Sequence, residues 1–144
     1  FELGQAIATE GWVTLTGGRS FGVMDAALKG AREADGLTIG ILPMETEQGA
    51  SQHAQIKIVT GMNSGRNYLS VLSSHVVVVL GMVSGTASEV ALALKANKKV
   101  ILLNQDEVTI QFFKKIGTYK VLVANSVSET ITLIKEYLAV HKRG

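Results

Sequence analysis

The run Val76-Val77-Val78-Val79-Leu80 sets apolar residues side by side with no polar residue between them. A strand with one wet face alternates polar and apolar residues, so an unbroken β-branched run predicts a central parallel strand covered on both faces. Parallel neighbours cannot be joined by a tight hairpin; each needs a crossover, usually a helix. The rest of the chain should therefore alternate strands with helices.

It reads that way. Residues 1–10 form a predicted helix with Leu3, Ala6 and Ile7 on one face, ended by Gly11, and 12–16 a strand. A glycine turn leads to a helix over 23–34 with Ala27, Leu28 and Ala31 on its apolar side, then a strand over 37–42 ended by Pro43. Residues 44–55 are polar and predict a mobile surface loop. A strand over 56–59 precedes a helix over 66–73, for which Asn63 or Ser64 can serve as cap. After Val76–Leu80 come a helix over 87–96, a buried strand over 100–103 and a short piece around 110–115. A strand over 121–124 and a helix over 128–140 finish the pattern, the helix starting at Ser128-Glu129 with Ile131, Ile134 and Leu138 on one face. The expectation is one α/β domain over residues 1–144: a Rossmann-like, doubly wound parallel sheet with helices on both faces. In such sheets the ligand crevice lies outside the carboxyl ends of the strands.

Composition removes several functions. A chain of 144 residues, 47% hydrophobic, can bury a core without disulfide or metal staples. The formal charge of +2, with Lys and Arg dispersed, does not make a nucleic-acid-sized basic face. Only His141-Lys142-Arg143 cluster, and they read as a solvated end. The longest apolar run is far below the roughly twenty residues of a membrane helix, so a soluble protein is expected. The absence of cysteine excludes a thiolate nucleophile and a zinc–thiolate site, and fits a reducing, cytoplasmic setting. His53, His75 and His141 lack metal-ligand spacing, so no metal site made by side chains is expected.

Three segments share one design, an apolar strand followed by a turn with two glycines and a helix start. They are Thr16 through Gly22, Thr60-Gly61 through Arg66-Asn67, and Gly81 through Gly85-Thr86. Glycine reaches left-handed angles and lets the backbone approach a ligand, while the following helix offers unpaired N–H groups and a partial positive charge. One such loop is most simply a tight connection; three on one sheet edge predict a crevice for an anionic, phosphate-bearing small molecule. The glycine spacing matches neither a Walker lysine motif nor an unbroken GxGxxG fingerprint.

Arg19 and Arg66 lie in these loops, where a guanidinium can hold a phosphate bidentately or form a surface ion pair. Glu89 falls four residues past Gly85 and is expected in the first turn of its helix, facing the crevice. Compensation of the helix dipole, about 0.3–1 kcal/mol, would equally explain an acid there. Ser20, Asn67, Thr86 and Ser88 can bond phosphate or a heterocycle, or cap helices. Met24 and Met82 suit a soft ligand less well than core filling.

These residues resemble a known superfamily, the LOG-like proteins once misnamed lysine decarboxylases. Its GGxxGxM signature stands intact as Gly17-Gly18-Arg19-Ser20-Phe21-Gly22-Val23-Met24. Its PGGxGTxxE signature survives as Gly85-Thr86-Ala87-Ser88-Glu89, with Gly81, Met82 and Val83 in place of Pro-Gly-Gly. Gly18-Arg19, Gly22 through Ala26, Thr60-Gly61-Met62, Arg66-Asn67 and Gly85 through Lys95 are similar to the molybdenum cofactor carrier branch, and the match covers nearly the whole chain.

The resemblance implies a homo-oligomer, commonly a tetramer, that holds molybdenum cofactor (Mo-molybdopterin) reversibly and without a covalent bond. Molybdenum-dependent apoenzymes would be its acceptors. It also implies a first strand and glycine loop upstream of Phe1. On the carrier reading Gly17, Gly18, Arg19, Ser20, Gly22, Met24, Thr60, Gly61, Arg66, Asn67, Gly85, Thr86, Ser88 and Glu89 hold the cofactor. The alternative is a phosphoribohydrolase of the cytokinin-activating type, cleaving a nucleoside 5′-monophosphate, in which Arg66 and Glu89 match the catalytic pair. Loss of Pro-Gly-Gly removes backbone freedom beside Glu89 and tilts the expectation from catalysis to carriage. A nucleotide-sensing module is a third, blander reading of the same loops.

Overall fold

The computed structural model describes residues 1–141; Lys142 and Arg143, read above as a solvated end, lie outside them. The chain folds into two compact units, Phe1–Ser74 and His75–Gly144, each an α/β layer with a three-stranded parallel sheet.

In the first unit α1 (Glu2–Thr9) and α2 (Gly22–Glu33) accompany β1 (Thr14–Thr16), β2 (Thr38–Leu42) and β3 (Ile56–Val59), followed by α3 (Arg66–Ser73). The strand order is β1-β2-β3, with Thr16 opposite Gly40 and Leu42 opposite Val59. Thr38, Gly40, Ile41 and Leu42 are all buried, so β2 is covered on both faces. α1 ends at Thr9 with Glu10 as its C-cap, and Gly11 takes the left-handed φ of +77° that stops a helix. Its buried face is Leu3, Gly4 and Ala8, not the predicted Leu3, Ala6 and Ile7, because α1 lies on α2 through glycine. A Cβ on Gly4 would strike the carbonyl of Ala27, and one on Gly30 would strike that of Phe1. Reciprocal glycines thus set the helix separation.

In the second unit β4 (Val76–Leu80), β5 (Lys99–Leu103) and β6 (Val121–Ala124) pair in that order, with α4 (Ser84–Lys95), α5 (Glu107–Gly117) and α6 (Val127–Val140) between and after them. The strand covered on both faces is β5, whose Val100, Ile101, Leu102 and Leu103 are all at most 1% exposed. β4, expected at the centre, is an outer strand of this sheet, and only Val79 in it is fully buried. An apolar run marks the strand type but not its rank in the sheet, which depends on the pairing of the other strands.

Helix starts move with their caps. α6 is capped by Ser126, not Ser128: its side chain accepts from the Glu129 N–H at 3.0 Å, while the Glu129 carboxylate accepts from the Asn125 N–H at 2.8 Å. This is a variant of the capping box, with the carboxylate bonded to the N–H one residue before the cap. The piece expected around 110–115 is the full helix α5, capped by Asp106, whose carboxylate accepts from the Thr109 N–H at 2.8 Å. That bond holds the Asp106 carboxyl below the usual carboxylate range. α3 begins at Arg66 behind an N-cap position, Gly65, that supplies no side-chain cap, and Asn63–Gly65 forms a 3₁₀ turn instead of capping it. Among the described residues no helix is long and apolar enough to cross a membrane.

Alanine is the better helix former by about 1 kcal/mol, yet Gly30→Ala should lower stability by about 1–3 kcal/mol because α1 must move away from α2. The urea unfolding midpoint against wild type checks this.

Candidate functional site

Parallel pairing brings two of the three glycine segments to one edge of the first unit. β1 and β3 end at Thr16 and Val59, and the segments beginning at Gly17 and Thr60 leave from those carboxyl ends.

The first turn is built by close backbone approach. Gly18 has φ +75°, and a Cβ there would meet the Leu42 side chain at 2.6 Å and Gly40 Cα at 2.9 Å. Gly40 is constrained in return, since its Cβ would lie 2.8 Å from Gly18 Cα. The Gly18 N–H donates to Thr16 Oγ1 at 2.9 Å, closing the turn. Gly22, at φ +66°, then opens α2, whose N-cap position is Phe21, a residue that offers no side-chain acceptor. The first N–H groups of a helix have no partner within it. Where α5 and α6 spend Asp106 and Ser126 on such groups, α2 spends no capping side chain. Its start carries a partial positive charge, and the half-buried Arg19, with its guanidinium 5.4 Å from the Phe21 ring centroid, adds a full one.

The segment expected to be a mobile loop is fastened to this turn. Ser51 is completely buried; its N–H donates to the Gly18 carbonyl at 2.7 Å and its hydroxyl to Asp25 Oδ1 at 2.6 Å. The Ser20 N–H donates to the Gly49 carbonyl at 3.1 Å, and Arg19 bridges antiparallel to Ala50. Further on, Thr38 Oγ1 donates to the His53 carbonyl at 2.6 Å and accepts from the Gln55 N–H at 3.0 Å. Residues 44–49 are exposed, but 50–55 are held by backbone hydrogen bonds that polarity and length do not reveal.

In the second segment Thr60 Oγ1 donates to the Leu42 carbonyl at 2.6 Å and accepts from the Met62 N–H at 3.1 Å. Gly61, at φ +63°, donates to the Met44 carbonyl at 2.9 Å. Arg66 and Asn67, expected near the ligand, are buried at 8% and 7% exposure. Arg66 Nη1 donates to the carbonyls of Gly17 and Ile41, the latter at 2.7 Å, and Nε to Asn67 Oδ1 at 3.0 Å. A shallow cavity at the same edge is lined by Pro43, Met44, Glu45, Thr46, Gly61 and Asn63. Met24 is half-buried in the first turn of α2, while Ser20 is exposed.

The third segment belongs to the second unit. Gly81 has φ +69°, and α4 begins at Ser84 behind an N-cap position, Val83, that again supplies no side-chain acceptor. Gly85 and Thr86 therefore lie inside the first turn of α4, and Glu89, expected there, lies in the second, half-buried. Ser88 is likewise helical, with its hydroxyl donating to the Gly85 carbonyl at 2.7 Å. The sequence reading passed over Gln105. Its side-chain amide donates to the Gly81 carbonyl at 3.0 Å and to that of Val79 at 3.4 Å, which ties the turn to the end of β4. The nearest sequence signal is its place directly after β5, beside Asn104 at φ +54°. Among the described residues no three His, Asp or Glu side chains are grouped to hold a metal ion.

A parallel α/β chain with glycine turns before uncapped helices defines a Rossmann-like class of small-molecule-binding proteins. The chain belongs to the SLOG cluster4 family, whose sequence model matches residues 1–131. It is similar to the molybdenum cofactor binding protein of Rippkaea orientalis, at 50% identity and a TM-score of 0.93, over 95% of this chain and 84% of that one. Likeness to the molybdenum cofactor carrier protein of Chlamydomonas reinhardtii is comparable, at 51% identity and a TM-score of 0.90, over 96% of this chain and 85% of that one. An uncharacterized protein of Archaeoglobus fulgidus is 35% identical over 131 residues, 91% of this chain and 85% of its own length.

Gly18→Ala should cost about 2–5 kcal/mol, from left-handed strain and from overpacking against Leu42 and Gly40. Gly49→Ala is the control, with φ +80° but open space around the added methyl, and should show the strain alone, about 1–2 kcal/mol. Thermal unfolding of both variants separates the two causes.

Proposed function

We propose that this protein is a molybdenum cofactor carrier, binding the cofactor reversibly as cargo. The observation that carries the reading is the first glycine turn. Gly18 and Gly22 adopt left-handed angles before α2, which has no side-chain cap, and Arg19 stands beside it. That combination suits a terminal phosphate, which needs several N–H donors and a cation within a few ångströms. Similarity at about half identity to proteins that bind or carry this cofactor supplies the ligand's name. The absence of cysteine suits release, since a thiolate ligand to molybdenum would oppose transfer to an acceptor apoenzyme.

On this reading the backbone amides of Phe21 through Met24 and the Arg19 guanidinium take the phosphate. The Thr60-Gly61 loop at the same sheet edge offers backbone polar groups to the pterin. The reading places the protein in the cytoplasm, handing cofactor to molybdenum-dependent apoenzymes. The phosphoribohydrolase reading is less supported, as the similar structures named by function are molybdenum cofactor binding and carrier proteins.

Purified protein titrated with molybdenum cofactor should bind in the micromolar range, and Arg19→Ala should weaken binding about tenfold, equivalent to 1.4 kcal/mol. Incubation with AMP should release no adenine; steady release, lost in Glu89→Gln, would replace the carrier by the hydrolase.

We also propose a homotetramer. Val108, Phe112 and Ile116 project an apolar stripe from one face of α5, each more than half exposed, an arrangement suited to self-association. Sedimentation should give four chains per particle, and Phe112→Glu should lower that number.

A further inference from the structure

We propose that Arg66 is a positioning residue of the anion-binding turn: it acts on the bound phosphate through the conformation of residues 17–22. This rests on the carrier reading for its ligand but not for its geometry. Arg66 starts α3, forty-nine residues beyond Gly17, yet its guanidinium donates to the Gly17 carbonyl and, at 2.7 Å, to the Ile41 carbonyl. Nε is held by Asn67 Oδ1 at 3.0 Å, so the side chain is braced at both ends of the guanidinium group.

Gly17 gives a second, independent observation. Its φ is not left-handed, so the turn itself does not demand glycine there. A Cβ at 17 would instead fall 2.5–2.8 Å from Nη1, Cζ and Nη2 of Arg66. A side chain at 17 would have to displace the guanidinium lying against it, and with it the bonds to the Gly17 and Ile41 carbonyls.

The consequence for the ligand is directional. Drawing the Gly17 carbonyl inward to Arg66 keeps an oxygen dipole away from the mouth of the turn, where it would repel an anion. The next residues are then fixed in series, with the Gly18 N–H on Thr16 Oγ1, the Gly18 carbonyl on the Ser51 N–H and the Ser20 N–H on the Gly49 carbonyl. Lysine cannot replace arginine here. An ammonium is a point donor without the planar fork that meets two carbonyls and a side-chain amide at once.

The test needs no ligand for its first arm. Amide hydrogen exchange is measured on unliganded Arg66→Gln, Arg66→Lys and Gly17→Ala. Protection at Gly18, Ser20 and Ser51 should fall about tenfold or more in all three, with Ile101 and Leu102 of β5 unchanged. The second arm titrates each variant with molybdenum cofactor. Gly17→Ala keeps the arginine charge, so equal loss in Gly17→Ala and Arg66→Gln, with no further loss in the double variant, is the expected coupling of two parts of one device. Unchanged protection in Arg66→Gln alongside lost affinity, or full recovery of both by lysine, would overturn the proposal in favour of direct contact. If Arg66→Gln does not fold, Gly17→Ala carries the same comparison. Failure of the wild type to bind cofactor would sink the carrier reading alone, because the exchange arm decides the positioning role separately.

Discussion

The carbonyls of Gly17, just past β1, and of Ile41, next to the end of β2, each need a partner where they are buried or cost about 1–3 kcal/mol. One guanidinium meets both. Because Arg66 reaches them from the start of α3, the ends of β1 and β2 and the segment after β3 are joined in one contact. The Gly18 to Gly40 approach completes it, since neither residue can carry a side chain without pushing the other away. The glycine turn is held from beneath by arginine and from the side by backbone.

That fastening also accounts for segment 49–55. Ser51 is buried because it serves two masters, giving its N–H to the Gly18 carbonyl and its hydroxyl to Asp25 at the start of α2. A polar stretch between two strands is ordinarily a solvated connection. Here its second half is a clip on the first glycine turn, and its polar side chains are among the clip's hydrogen-bonding groups.

The helix starts behind the three glycine segments all lack a side-chain cap, as does α1. Phe21 and Val83 stand where Asp106 and Ser126 stand in α5 and α6, and neither can satisfy the helix N–H groups. A missing cap forgoes about 1 kcal/mol, which a bound anion could return. The donors that such a helix start offers are backbone N–H groups.

Strand identity, helix identity and the location of the glycine turns were legible in the sequence, because periodicity and glycine chemistry are local. β3, α3, β4 and β6 fall on the residues expected from the pattern. The Gly17 through Met24 and Gly85 through Glu89 motifs likewise carry their family resemblance in contiguous residues, and family membership bears it out. What tertiary structure alone decided is long-range: that β5 and not β4 is covered on both faces, that Gly4 and Gly30 set a helix contact, and that Gln105 anchors Gly81. It also placed Arg66, expected as a phosphate ligand, in a buried position bonded to the Gly17 and Ile41 carbonyls. The physical reason is common to all of these. A propensity depends on a residue and its near neighbours, whereas a close approach or a buried hydrogen bond depends on a partner whose distance along the chain no local pattern encodes.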